Sequence, residues 1–451
     1  MRKNSIAFCG GAFGDEGKGK LVDWYVNHFA QKYKVIVYRD NGGANAGHTV
    51  EVGKTRLALH QLPSGILTKN VTLILGKGMV VHPQDLMIEI LDVEKAVGRK
   101  LTRKIILDEM ATLSLDTHRA YESVLKQWQE GGKGSTGRGI SPAYADILLR
   151  HPLRARDLSP FNTKKITEHY KMYAALIKGL GQNIAKVTVP VLDPTVGTAA
   201  VGSLDQFLTK VRQVSQQLKP MISPVYELLE KAWQDKEYAF VFEKAQAVGL
   251  DARWGVYPDI TASDTTFDGI YGSTEGCIDP AEIMIKAGVI KATYMSSVGS
   301  RQLPSAMTGK LAKQIREDAQ EYGTTTKRPR DILYLDLPAL KFFRKVGKLT
   351  HLVLTHMDIV YDQPVKVCVG YTKNGKSVAY RPDQQFLNAL KPVFRELKTW
   401  DKLALRSATK PDQLPAAAKR FIKFLETKLE VPVLVITTGP QRKEVLFLEK
   451  P

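Results

Sequence analysis

The apolar run Ile6-Ala7-Phe8-Cys9 leads straight into "GGAFGDEGKGKLVD", residues 10–23, and then into a helical pattern. A buried strand, a glycine-rich turn and a helix, in that order, open a parallel α/β unit, because a parallel neighbour needs a crossover. The pattern recurs. Apolar runs at 6–10, 35–39 and 71–76 alternate with turn-rich segments. Between the first two, 20–33 sets Leu21, Trp24, Tyr25 and Phe29 on one side of a helix. These spacings predict the α/β class: a large, mostly parallel central sheet flanked by helices, with a P-loop-like start and helical insertions. Residues 83–130 read as mainly helical and 164–236 as a long helical stretch. That makes a helical subdomain of about 83–236 within one elaborated domain spanning 1–451. Further strands are expected at 238–242, 332–335, 352–355, 365–371 and 433–437. "LTHMD" and "VITTGP" each follow one of these, at strand C-terminal ends where open α/β sheets collect ligands.

Composition narrows the classes. The longest apolar runs fall short of 18 residues, so no membrane span is expected. Met1-Arg2-Lys3-Asn4 runs almost directly into the first strand, which leaves no room for a signal peptide. Cys9, Cys277 and Cys368 are scattered without ligand spacing and read as reduced thiols in a cytoplasmic protein. The formal charge is +19, from 65 basic against 46 acidic side chains. The basic residues spread along the whole chain and match no nucleic-acid module. Basic pockets for small phosphorylated substrates are the better reading.

Lysines and glycines at the density of residues 10–23 cradle phosphates, which makes the two carboxylates among them, Asp15 and Glu16, the feature to explain. Gly14 to Lys20 satisfies G-x-x-x-x-G-K, but a P-loop continues with Ser or Thr to bind Mg²⁺, and here Leu21 follows. A hard cation beside phosphate needs oxygen, and Asp15 is the nearest candidate. A second loop, "NGGANAGHTV" (41–50), also follows a strand. Asn45 can read a polar ligand, the Gly47 carbonyl can ligate metal, and His48 can move a proton near neutral pH.

"GDEGKGKLVD", "NGGANAGHT", "LPSGIL", "GSTGRGISPAYAD", "EYGTTTKRPR" and "TTGPQR" occur in this order along the chain. Together they resemble the adenylosuccinate synthetase family, whose members condense IMP with L-aspartate, driven by GTP and Mg²⁺, as homodimers. The resemblance implies that Asp15 takes the N1 proton of the purine and that His48 acts as general acid, with Lys18 and Gln246 completing the catalytic set. It makes Asp15 and Gly47 the Mg²⁺ ligands. IMP and aspartate would fall to Asn45, Thr136, Arg150, Gln246, Thr261, Val298, Thr325, Thr326 and Arg328, with Arg150 crossing the dimer interface. GTP would fall to Gly14, Glu16, Gly17, Lys18, Gly19, Lys20, Gly47, His48, Thr49 and Arg330, and its base to His356, Asp358, Thr437, Thr438 and Gly439.

The sequence also departs from the family pattern. His356 stands where the family usually has lysine, and "GGAF" replaces a Thr-Gln-Trp-type segment. Lys244 and Ala247 replace glycines, "SVGSRQLPSAM" is a loose match, and Lys327 and Pro329 interrupt the arginine-rich loop. Two alternatives therefore stay open beside IMP and GTP. One is a 2-aminoadenylosuccinate synthetase acting on dGMP or using ATP, and the other is a nucleotide-binding regulator without turnover. Retention of Asp15 favours IMP.

Overall fold

The computed structural model describes residues 2–52, 55–128, 135–193, 195–297, 299, 301–323 and 328–449. Ten strands form its main sheet. In spatial order they are Ile222–Ser223, Ile105–Asp108, Val71–Leu75, Lys34–Arg39, Tyr238–Ala247, Arg2–Gly10, Ile283–Lys291, His351–Thr355, Val433–Thr437 and Val445–Phe447. Every neighbouring pair is parallel except the last, which is antiparallel.

Both faces of this sheet are covered. Ile6 and Phe8 enter one core cluster and Ala7 and Cys9 the other, and Val35 and Val37 are likewise split from Ile36 and Tyr38. Strands buried on both faces read as unbroken apolar runs, which is why they are legible as such. A second sheet holds Tyr294–Ser297, Asp331–Asp336, Val365–Lys373, Lys376–Val378 and Lys391–Leu397. No described helix is long and apolar enough to cross a membrane.

All the expected strands are present, but those at 332–335 and 365–371 belong to the second sheet. Ile283–Lys291, directly beside Arg2–Gly10, is an additional strand that its sequence conceals. Lys286 interrupts the apolar run while reaching the Pro280 carbonyl at 3.0 Å, and Gly288 makes room for Leu349. The segment 83–130 is less helical than expected, because Ile105–Asp108 is a sheet strand between the helices Pro83–Val97 and Asp116–Trp128. The stretch 164–236 is three helices, Thr163–Gly179, Leu204–Leu218 and Tyr226–Gln234. An antiparallel pair, Thr188–Pro190 with Thr198–Ala200, separates the first two.

Candidate active site

The chain turns from Gly10 through residues 11–17 into the helix Lys18–Phe29. Gly17 caps that helix at φ +84° and, being glycine, brings no side chain to bond its first-turn amides. Free N–H groups at a helix N-terminus attract phosphate. Glu16 turns inward: Oε1 accepts from the amides of Gly14 at 2.7 Å and Ala12 at 3.3 Å, and Oε2 accepts from Lys18 Nζ at 3.4 Å. A Cβ on Gly10 would sit 2.5 Å from Glu16 Oε2, so the glycine makes room for that carboxylate. Of the two adjacent acids, Glu16 shapes the loop and Asp15 faces a cavity.

That cavity encloses about 660 Å³. The first loop supplies Gly14, Asp15 and Lys18, and the second supplies Asn45, Gly47 and His48. Thr136, Gln246 and Thr261 line it as well. Residues from four separate parts of the sequence thus meet in one space. Asn45 Oδ1 and Gln246 Nε2 are out of water with no hydrogen-bond partner among the described residues. Each such atom costs about 1–3 kcal/mol, which a bound ligand would offset. Asp15 and Gly47 both line the cavity, and a carboxylate with a loop carbonyl is an oxygen set that fits a divalent cation of the Mg²⁺ type.

His48 is held from behind. Its Nδ1 lies 2.5 Å from Glu243 Oε1, and Glu243 also accepts from the Ser64 amide at 2.8 Å and from the Ser64 hydroxyl. Burial works to raise the Glu243 carboxyl, but His48, Arg39 and Ser64 together hold it at about 2. An ionised carboxylate only accepts, so Nδ1 carries a hydrogen and Nε2 is the remaining nitrogen. Burial lowers the His48 pKa, with Glu243 opposing. Glu243 is absent from the expected site set, although an acid inside the run "YAFVFEK" is itself a sequence signal.

Asp15 is engaged by Arg330, whose other NH group donates to Glu321 at 2.8 Å. Glu321 is 1% exposed and also holds Lys291 Nζ at 2.5 Å. Glu321 and Lys291 have no counterpart among the expected residues. Nor has Arg301, which lines the cavity with its guanidinium over Phe13 and donates to the Asp259 carbonyl at 2.6 Å. Its partner is 42 residues away, so no local pattern marks it.

The residues expected to meet the donor base lie where two neighbouring strands, His351–Thr355 and Val433–Thr437, stop. Thr355 Oγ1 donates to the Glu16 carbonyl at 2.9 Å, and the His356 amide donates to Thr437 Oγ1 at 3.3 Å. Lys20 Nζ donates to the carbonyls of Gly439 at 2.5 Å and Glu444 at 2.9 Å, tying the start of the first helix to this end. Asp358 accepts from Arg406 at 2.7 Å, and Thr438 is buried beside it in sequence with Thr437. Gly17 and Gly19 are at the start of the first helix, and Thr49 lies in the strand His48–Val52.

Four of the ten described non-glycine residues with positive φ are candidates: Asp15 at +57°, Gln246 at +57°, His356 at +56° and Arg150 at +66°. Such backbone costs energy and collects at functional positions. Arg150 does not join the cavity; it is exposed after the helix Ile140–Leu148, next to Leu148 and Leu149. Arg328 is also exposed, its carbonyl accepting from the Gly323 amide at 2.8 Å. Val298, Thr325 and Thr326 lie outside the described residues.

The family model described as adenylosuccinate synthetase matches residues 7–446. Adenylosuccinate synthetases from Halothermothrix orenii and Shewanella loihica are both 34% identical to this chain. The first alignment covers 98% of each sequence and the second 100% of each. The structure of fully ligated adenylosuccinate synthetase from Plasmodium falciparum matches with a TM-score of 0.84 at 30% identity, over 99% of this chain and 100% of that one. Cyanophage S-2L succinoaminodeoxyadenylate synthetase, bound to dGMP and dATP, shares the fold at a TM-score of 0.59 and 17% identity, over 100% of this chain and 97% of that one. The chain belongs to the adenylosuccinate synthetase family, the ligases that join IMP to aspartate with GTP in purine biosynthesis.

Proposed function

We propose that this chain forms adenylosuccinate through 6-phosphoryl-IMP. The 6-oxo group of a purine leaves poorly, so it must first become a phosphate ester. Asp15 takes the N1 proton, which makes O6 nucleophilic toward the γ-phosphorus of GTP, and GDP departs. The amine of aspartate then attacks C6 and phosphate leaves with the former O6. His48 donates a proton to the phosphorylated oxygen; Glu243 and the arriving phosphate favour its charged form, against burial. Lys18, Lys20 and the amides of Gly17 and Gly19 balance charge on the transferring phosphoryl group. Asp15 and the Gly47 carbonyl would hold Mg²⁺, which when bound neutralises phosphate charge.

Asn45, Thr136, Gln246 and Thr261 hold IMP, and Val298 borders its sugar. Thr325, Thr326 and Arg328 grip aspartate, whose carboxylates reward guanidinium pairing. Gly14, Glu16, Thr49 and Arg330 serve the triphosphate side, and Asp358, Thr437, Thr438 and Gly439 frame the base. The chain works as a cytoplasmic homodimer, with Arg150 reaching the partner's nucleotide. Leu148 and Leu149, 84% and 67% exposed beside Arg150, support a contact surface there.

One observation carries the reading: Asp15, Lys18 and His48 line a single cavity together with the unsatisfied amides of Asn45 and Gln246. Purified protein given IMP, GTP, Mg²⁺ and aspartate is expected to show the ultraviolet change of adenylosuccinate formation. Phosphate release with dGMP and none with IMP overturns the assignment. GTP binding without any release would instead make the chain a nucleotide-binding regulator.

A further inference from the structure

His356 ends the strand His351–Thr355, and the proposed function reads this end of the site as the one that meets the donor base; the inference below rests on that reading. Nδ1 of His356 lies 2.7 Å from the Tyr294 hydroxyl, and the same hydroxyl lies 2.6 Å from Glu321 Oε1. A tyrosine hydroxyl has one proton to give. Burial works to raise the Glu321 carboxyl, but Lys291 at 2.5 Å and Arg330 at 2.8 Å hold it far below the usual range. Glu321 is therefore ionised and accepts only, so the hydroxyl proton points to it.

The contact to His356 can then be a hydrogen bond only if Nδ1 carries hydrogen and donates to the phenol oxygen. Burial, followed by Lys291, pushes His356 down to about 4, so the ring is neutral at pH 7 and has a single N–H. Nε2 is left as a bare acceptor, with no partner among the described residues. Two residues on, the Asp358 carboxylate is another acceptor, steadied by Arg406 at 2.7 Å.

We propose that His356 determines donor specificity: Tyr294 and Glu321 lock it in the tautomer that offers an acceptor, and with Asp358 it selects a guanine triphosphate over an adenine one. Guanine presents N1–H and N2–H₂ as adjacent donors. Adenine presents one donor, N6–H₂, between the acceptors N1 and N7, so a pair of protein acceptors leaves lone pairs facing each other. A lysine at this position could only donate. The histidine thus offers the base an acceptor where a lysine would offer only donors.

The test is the ratio of kcat/KM for GTP over ATP, with IMP and aspartate saturating. The wild-type ratio should be about a hundredfold or more, as for sites built around a substrate N–H. Tyr294→Phe frees the tautomer and should lower the ratio about tenfold through the KM of GTP, leaving kcat within about twofold. His356→Asn suits the left-handed φ of +56°, and its amide can turn either edge to the base, so the ratio should fall toward one. A wild type that uses ATP as well as GTP overturns the proposal. So does a Tyr294→Phe protein with unchanged Tm and an unchanged ratio. If neither triphosphate supports phosphate release, the ligase reading fails instead, and calorimetric binding of GTP against ATP to the same three proteins still decides the role of His356.

Discussion

Two parts of the molecule bring histidine and carboxylate together out of water, and they do so in opposite ways. Behind the cavity, His118, Asp146 and His169 place ligand-type atoms within 4.8 Å of one another, which resembles a metal site. Its hydrogen bonds say otherwise. The Leu115 amide donates to His118 Nδ1 at 2.9 Å, so the ring hydrogen is on Nε2, which donates to Asp146 at 3.0 Å. A metal at Nε2 would push that hydrogen onto Nδ1, where an amide already donates. The Tyr173 hydroxyl donates to Asp146 at 2.8 Å, and His169 Nε2 bonds Thr117 at 2.7 Å. This group rivets the helices Asp116–Trp128, Ile140–Leu148 and Thr163–Gly179. In the cavity, the Asp15 carboxylate is 34% exposed. Both groups leave a buried polar atom unpaired among the described residues, His169 Nδ1 in the first and Asn45 Oδ1 and Gln246 Nε2 in the second. What separates them is that Asp146 is taken up by His118 and Tyr173, whereas Asp15, Asn45 and Gln246 line a cavity with room for a ligand.

The contrast can be broken at either end. Asp15→Asn should lower kcat by about 10³-fold with Tm almost unchanged, the scale expected for loss of a positioned base. A variant keeping more than a tenth of wild-type turnover would remove Asp15 from that role. Glu243→Gln should cost about 10²-fold in kcat, because the amide no longer fixes Nδ1–H of His48 while the KM for IMP and GTP stays close to wild type. Rescue by Asp but not by Gln would sharpen the point.

At the structural end, Asp146→Asn should lower unfolding free energy by about 1–3 kcal/mol and leave kcat per folded molecule unchanged. Zinc should not raise the Tm of the wild type; a zinc-dependent rise would reinstate a metal site. The smallest effect concerns pH. Burial, with His118 next, lowers His169 well below the ordinary imidazole value of 6.5. Above 6.5 both states hold it neutral and stability is flat. As pH falls below 6.5, the unfolded chain binds the proton first, so stability drops by up to about 1.4 kcal/mol per pH unit for this one group. His169→Gln should flatten the acid limb by one proton in chemical unfolding followed across pH; an unaltered slope would show that His169 titrates normally.

Much of this was legible in the chain. Strands buried on both faces stand out as apolar runs, and the ordered motifs identify the loops at their C-terminal ends. Ile283–Lys291 was hidden because Lys286 escapes sideways to a carbonyl and Gly288 yields its space to Leu349. Nor could spacing tell the two adjacent acids apart. Glu16 bonds the amides of its own loop, whereas Asp15, at φ +57°, is turned outward to Arg330.

Order of elements and kinds of chemistry belong to the sequence alone: a glycine-rich phosphate loop, a second loop carrying asparagine and histidine, and arginines toward the C-terminal half. Tertiary structure decided protonation and orientation. His48 obtains its tautomer from Glu243, 195 residues on, and Asp15 meets Arg330 across 315 residues. His356 takes its tautomer from Tyr294, and that hydroxyl from Glu321. Each of these is settled by which donor faces which acceptor at under 3 Å, a relation between remote residues that exists only once the sheet has brought its strand ends together.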